Sequence, residues 1–290
     1  VTMEFLRPSD WDEALAAKAA HPDAVPIAGG TDVMVDVNFD RSRPAALLDL
    51  TRVAALADWG VDGDLLRIGA GVTYRRLIDE LAGRLPGLAL AARTVGSPQI
   101  RNRGTVGGNL GSASPAGDAH PSLLAAGAQV ELASVRGTRR VPVTEFFVGP
   151  KRSLRTPDEL IAAFLVPARP GAEQFAKVGT RNAMVIAVCS FALSLDAATR
   201  TVGTGIGSAG PTPLRATEAA DFLAAELPWE SRDAVPDAVA ARFGELVGAA
   251  ARPIDDVRGS ADYRRHALAV LARRTLAWAW ADLGGAAACG

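Results

Sequence analysis

The sequence predicts an α+β protein built as a mixed unit of short strands and helices followed by a small antiparallel sheet packed with helices. Three observations point there. The apolar run Val25 to Ala28 enters a glycine pair and leaves it on Thr31-Asp32, a strand, turn and helix start in order. Arg169-Pro170-Gly171-Ala172 breaks two strand-like runs without any periodicity of its own, and the C-terminal third carries long helical patterns. With 290 residues, 49% of them apolar, the chain has the material for one large core or two ordinary ones.

The elements follow in order. Ser9 and Asp12 form a capping-box-like start to an amphipathic helix reaching about Ala20, stopped by His21-Pro22-Asp23. The strand at Val25 to Ala28 turns at Gly29-Gly30 into a short helix carrying Val33, Met34 and Val37. Leu47 to Leu50 and Leu65 to Gly69 read as strands, and Thr73 starts a helix to about Leu81 that breaks near Gly83, ahead of Pro86. Gly96 to Gly117 has no helical period and is expected to be a long loop with short extended pieces. Asp118 then caps an Ala- and Leu-rich helix up to Gly127, followed by a strand from Ala128 to Ala133. After the linker, strands are expected from near Gln174, over Ala183 to Leu195 as one buried run, and over Thr201 to Ile206; Ala238 to Ala250 and Asp262 to Leu283 are helical. The linker divides the chain into residues 1–170 and 171–290.

Composition removes several function classes. A formal net charge of -1 with interspersed signs gives no footprint for nucleic acid or an anionic membrane. Glu4, Arg7, Asp10 and Asp12 interrupt the first 20 residues, so a cleaved export signal is not expected. The longest apolar stretch, Ala183 to Leu195, falls short of the roughly 20 residues that a membrane span needs. Only Cys189 and Cys289 are present, which rules out a disulfide framework and a four-cysteine iron-sulfur or zinc site, and favours a cytoplasmic protein. His21, His120 and His266 are too few for a histidine metal site and read as ordinary surface or core residues. There is no G-x-S-x-G elbow or P-loop. Gly205 to Gly210 matches G-x-G-x-x-G, the mark of a nicotinamide-dependent Rossmann enzyme, but Pro211 and Pro213 stand where its helix must continue.

Two glycine loops carry the chemistry. Ala28-Gly29-Gly30-Thr31-Asp32 brings side-chain-free backbone to a helix N-terminus, where free amides and the helix dipole attract phosphate oxygens. The same pair also suits a plain turn. In the second stretch, Ile100 to Asp118, small residues allow close backbone approach, with Gly107 and Gly108 as the contact point and Thr105, Asn109, Ser114 and Asp118 as hydrogen-bonding groups. Flexible filler, with Asp118 a simple helix cap, explains that composition equally well.

The string IRNRGTVGGNLGSASPAGD resembles the flavin-binding signature of the FAD-binding subunits of molybdenum hydroxylases of the xanthine dehydrogenase type, including carbon monoxide dehydrogenase medium subunits. AGGTD resembles that family's first loop, and Phe175-Ala176-Lys177 and the segment Gly207 to Ala216 are similar to later family segments. The resemblance implies a PCMH-type FAD-binding domain of two α+β subdomains, dividing near residues 55–60, and a C-terminal domain of a small antiparallel sheet with helices. It implies that Ile27, Ala28, Gly29, Gly30, Thr31, Asp32 and Val33 wrap the FAD pyrophosphate, and that Thr105, Val106, Gly107, Gly108 and Asn109 approach it from the other side. Asp118 would bind ribose or order the loop, with Ser114 beside it. Val95, Gly96, Ile161, Ala162 and Lys177 would border the isoalloxazine.

Lys177 stands out further, since only Lys18, Lys151 and Lys177 among 31 basic residues are lysine. An ammonium fixed near the flavin N1 and C2 carbonyl would stabilise the charge that builds on reduction. The resemblance also implies partners: a large molybdenum-cofactor subunit and a small subunit with 2Fe-2S clusters, assembled as a dimer of heterotrimers, with NAD or another acceptor taking the electrons. A reductive branch resembling 4-hydroxybenzoyl-CoA reductase carries an extra cluster in its flavin subunit, which two distant cysteines exclude here. The alternative is a scaffold subunit without cofactor.

Overall fold

The structure, a computed structural model, describes residues 3–168 and 171–287. Arg169 and Pro170 of the expected linker, and Cys289, lie outside the described residues.

The chain opens with β1 (Glu4–Leu6), α1 (Trp11–Ala20), β2 (Val25–Ile27), α2 (Val33–Asn38) and β3 (Ala46–Asp49), whose strands form a parallel sheet in the order β1-β3-β2. The capping box of α1 sits one residue off the expected place. Asp10 is the cap and accepts from the Glu13 N–H at 2.9 Å, while Glu13 Oε2 reaches back to the Ser9 N–H at 2.8 Å. The box needs an acid three residues after the cap; Glu13 stands three after Asp10, and its carboxylate accepts from the N–H and the hydroxyl of Ser9, the residue before the cap.

A second sheet follows: β4 (Trp59–Asp62) and β5 (Leu65–Gly69), then the helices α3 (Tyr74–Leu81), α4 (Pro86–Arg93), α5 (Pro98–Arg103), α6 (Val106–Ser112) and α7 (Ala119–Ala125). The chain returns through β6 (Gln129–Ser134), β7 (Gly137–Pro142), α8 (Val143–Phe146), β8 (Phe147–Gly149), β9 (Arg152–Ser153) and β10 (Leu160–Pro167). The strand order is β4-β5-β10-β6-β7, with antiparallel neighbours, while β8 and β9 pair separately. Leu48 of the first sheet and Leu66, Phe146 and Phe164 of the second region share one hydrophobic core.

The stretch expected as a loop from Gly96 to Gly117 is largely helical, and side-chain caps explain it. Ser97 Oγ accepts from the Ile100 N–H to start α5, with Pro98 in its first turn, and Thr105 Oγ1 accepts from the Gly108 N–H at 2.8 Å to start α6. Small residues blur the apolar period, so caps and not amphipathicity define these two short helices.

The last third contains β11 (Ala172–Val178), β12 (Cys189–Asp196) and β13 (Thr201–Gly207) as an antiparallel sheet in that order, with α9 (Thr217–Glu226), α10 (Asp237–Ala250) and α11 (Ala261–Ala287). Phe191, Phe243 and Leu268 lie in its separate core. The buried run expected over Ala183 to Leu195 is shorter than that. Val178 pairs with Cys189, so residues 179–188 form the hairpin connection, where Met184 and Ile186 are exposed. Gly205 and Gly207 belong to β13 of this antiparallel sheet, and Ser208 to Ala216 follow without a helix, which is not the strand-turn-helix of a dinucleotide fingerprint.

The two cores are held together where α7 crosses β13. A Cβ on Gly205 would fall 2.0 Å from the Pro121 carbonyl oxygen, so only glycine permits this approach. Ala91, Ala125, Phe175 and Ala192 form a small apolar seam beside it.

Candidate functional site

The two glycine loops meet. A Cβ added at Gly29 would lie 2.0 Å from the Arg103 carbonyl oxygen and 2.9 Å from the Gly104 nitrogen, so the turn after β2 rests on the chain that leaves α5. Thr31 Oγ1 lies on the same contact, 3.3 Å from where a Gly104 side chain would start. Ile27 to Thr31 and Val33 are half-buried, and Asp32 is exposed. Asp32 precedes α2 without a side-chain cap bond, in contrast to the expected Thr31-Asp32 cap.

The paired glycines of the second loop do different jobs. Gly107 is buried, with a hypothetical Cβ 2.4 Å from Ala70 Cβ and its carbonyl oxygen, which seats α6 on the chain after β5. Gly108 is exposed and would meet only Thr105 Oγ1, at 3.1 Å. The first-turn amides of Val106 and Gly107 have no acceptor inside the helix. Thr105 and Val106 are buried, Ile161 at a β-bulge in β10 brings its Cδ1 to 3.7 Å from a Gly111 Cβ, and the Ala162 carbonyl accepts from the Ala70 N–H at 3.0 Å.

Asp118 does not cap α7. Its Oδ2 accepts from Lys177 Nζ at 2.6 Å, the two side chains being 9% and 7% exposed, and a longer bond of 3.4 Å comes from Thr94 Oγ1. Lys177 also donates to the Thr94 carbonyl at 3.3 Å, directly before Val95 and Gly96, so β11 is tied to the chain after α4. Burial pushes the Asp118 carboxyl above its ordinary range, opposed by the Lys177 charge. The lysine expected as an ammonium fixed near the flavin is thus half of a buried ion pair between the two cores. Ser114 is half-buried and turns inward on its own loop, its Oγ accepting from the Ala116 N–H at 3.3 Å.

Sequence reasoning passed over Thr94 and the organising role of His120. Fully buried, His120 has Nε2 3.1 Å from the Asn109 carbonyl, and its ring packs 4.5 Å from Phe147. Burial lowers its pKa to about 4, against the carbonyls of Asn109 and Ser114. Its place directly after Asp118-Ala119 was the available signal. Three buried acceptors in this region, Asn109 Oδ1, Asp118 Oδ1 and His120 Nδ1, have no hydrogen-bond partner, which a folded protein tolerates where a ligand supplies the donors. At the foot of the loops, between Val25-Pro26, Gly111 and the segment 151–157, lies a cavity of about 360 Å³.

Residues 1–169 match the family of FAD binding domains in molybdopterin dehydrogenase, and residues 174–279 match the CO dehydrogenase flavoprotein C-terminal domain. The chain belongs to the FAD-binding subunits of the molybdenum hydroxylases. The nicotine 6-hydroxylase medium subunit of Paenarthrobacter nicotinovorans is 31% identical over 94% of this chain and 96% of its own. The xanthine dehydrogenase FAD-binding subunit of Escherichia coli O157:H7 is 31% identical over 97% of each. Among solved structures, a chain of the Cu,Mo-CO dehydrogenase in its cyanide-inactivated form superposes with a TM-score of 0.87 at 28% identity, over 96% of this chain and 98% of that one.

The residues of this flavin subunit fit the cofactor. The two glycine-rich stretches of backbone meet at Gly29 and Gly104, and the free acceptors of Asn109 and Asp118 suit hydroxyl donors. The mixed α+β architecture and the antiparallel C-terminal sheet are those of the family. Among the described residues, no helix is long and apolar enough to cross a membrane.

Proposed function

We propose that this chain takes electrons from the 2Fe-2S clusters of a small partner subunit and passes them through FAD to NAD or another acceptor, while a large partner subunit with the molybdenum cofactor oxidises the substrate. The observation that best supports this is the meeting of the two glycine loops, the Gly29 backbone against Arg103-Gly104, in a chain matched along nearly its whole length by flavin subunits. On this reading Ile27 through Val33 and Thr105 through Asn109 hold the pyrophosphate by backbone amides. Asn109 and Asp118 accept from cofactor hydroxyls. Val95, Gly96, Ile161, Ala162 and Lys177 border the isoalloxazine, and Ser114 keeps its loop compact.

Bound there, FAD supplies a group that accepts electrons singly and delivers them in pairs. The protein's part is to bind, orient and tune. Lys177 holds a positive charge beside Thr94 whose reach Asp118 partly cancels, so its influence on the ring is smaller than that of a bare ammonium. With two cysteines in the chain, the clusters must be brought by a partner. We further take residues 1–170 and 171–290 as the two domains, the first dividing near residues 55–60, and the complex as a cytoplasmic dimer of heterotrimers.

The test is the visible spectrum of the purified full chain, with and without co-expressed partner subunits, before and after incubation with FAD. A flavin spectrum, together with co-purification of cluster and molybdenum subunits, is expected. A folded chain that takes up no FAD would leave it a scaffold.

A further inference from the structure

The polar cavity of about 360 Å³ at the foot of the loops lies between two separate stretches of chain. Lys18 and residues 22–26 form one wall, and the segment 151–157 forms the other, with Gly111 beside it. Four cations, Lys18, Lys151, Arg152 and Arg155, line it together with a single carboxylate, Asp23, which is exposed. The protein matches only one of the four directly, for Lys151 Nζ lies 3.2 Å from Asp36 Oδ2.

Lys18 is 4% exposed and donates from Nζ to the carbonyls of Pro22 (2.7 Å) and Ala24 (2.6 Å), neutral acceptors that leave its charge and a third N–H. The side chains of Arg152 and Arg155 make no hydrogen bond or ion pair among the described residues. The nearby carboxylates are engaged elsewhere: Arg139 grips Glu159 at 2.6 and 2.9 Å, and Arg136 pairs with Asp158. Burial and the Arg155 charge push Lys18 down to about 8, with Asp23 and Asp158 opposing, and burial lowers Arg155 as well. Positive charges drawn part-way out of water toward one another are costly until an anion joins them.

The donors select among anions. A guanidinium offers paired N–H groups that match two oxygens of a carboxylate or a phosphate, but only a phosphoryl group keeps a further oxygen for an ammonium on the opposite wall. The position separates this cavity from the cofactor: none of the residues assigned to the flavin lines it. It is nevertheless joined to both loops, since Val25-Pro26 lead into Ile27, and the Lys151 N–H donates to the Ala113 carbonyl at the end of α6 at 3.1 Å. We propose that this cavity is a phosphate site separate from that of the flavin, where Arg155 and Lys18 hold free phosphate or the phosphoryl group of a small ligand between the two walls.

The experiment uses the full chain with FAD bound, as wild type, Arg155→Ala and Arg155→Lys. Inorganic phosphate, glycerol phosphate and acetate are titrated by calorimetry at an ionic strength held constant with sodium chloride, while flavin fluorescence reports any release of FAD. Saturable binding of phosphate to the wild type is expected, with FAD retained. Arg155→Ala is expected to melt like the wild type, because its side chain bonds nothing in the fold, and to weaken phosphate at least about tenfold, the scale of a lost charged hydrogen bond. Arg155→Lys should fall between the two. Tighter binding of glycerol phosphate than of phosphate supports the site and makes an organic phosphate its ligand; the reverse order supports it with free phosphate as the ligand. Acetate binding as well as phosphate would reduce the cavity to a general basic patch and overturn the proposal, as would no saturable phosphate binding or an unchanged affinity in Arg155→Ala. Release of FAD by phosphate would make the cavity part of the cofactor's own site and overturn it equally.

Discussion

Lowering the pH from 6.5 toward 4 should destabilise this protein through His120. In the fold the imidazole is neutral and fully buried, its Nε2–H given to the Asn109 carbonyl and its ring against Phe147. Its pKa falls from the ordinary 6.5 to about 4. A group that binds its proton less well when folded favours unfolding once the unfolded chain begins to protonate. The stability it contributes is therefore complete above pH 6.5 and is lost progressively down to pH 4. Two and a half pH units at roughly 1.4 kcal/mol each give about 3 kcal/mol, of which about 2 are gone by pH 5. The assay is urea unfolding of the full chain at several pH values between 7 and 4.5, followed by far-ultraviolet circular dichroism, for wild type and His120→Asn. Asparagine keeps a donor but cannot take up a proton, so the variant should start less stable at pH 7 and lose much less on acidification. Parallel pH profiles for the two proteins would refute the reasoning, because the acid sensitivity would then belong to other groups.

Two further substitutions test the loops and the ion pair. Gly108→Val should leave the protein folded, since a side chain there meets only Thr105 Oγ1, yet purify without flavin absorbance; Gly107→Ala, which drives a methyl into Ala70, should fail to fold and serves as the contrast. Full flavin occupancy in Gly108→Val would remove the second loop from the binding site. Lys177→Met should cost about 3–5 kcal/mol in urea unfolding, because it strands a buried Asp118, and Lys177→Met combined with Asp118→Asn should regain most of the loss. With FAD retained in the double variant, redox titration should find a lower flavin potential; additive losses would show that the pair is not coupled.

The parts of the fold legible in the sequence are those whose signal is local. The start of α1 was read on Ser9 and Asp12, one residue off the observed Asp10 and Glu13, Thr73 starts α3, and the apolar strand Leu65–Gly69 announces itself by composition. The helix α6 was hidden because Gly107, Gly108 and Gly111 have no apolar face to repeat, and α5 because Ile100 is the lone aliphatic side chain in its six residues, although Ser97 and Thr105 signal both helix starts. The extent of β12 was overestimated for the opposite reason: Met184 and Ile186 are apolar but exposed, and only the pairing of Val178 with Cys189 reveals where the strand begins. Strand pairing is a property of the sheet and is not written in either strand alone.

The candidate site divides along the same line. Gly29 and Gly108 could be picked out because absence of a side chain is itself a visible signal, whereas the ion pair of Asp118 with Lys177 spans 59 positions and two cores and leaves no spacing to read. Without its partner in view, Asp118 at the head of a helix looks like a cap, and Lys177 in a strand looks like a free charge. The pairing alters the physical conclusion for both. A cap would contribute about 1 kcal/mol to one helix, while a buried pair anchors β11 to α7 and the chain after α4, so the docked C-terminal sheet adds to the Arg101 bonds that hold the Val95 and Gly96 carbonyls. Displacement of that sheet should therefore loosen the flavin site even though both glycine loops lie in the other core.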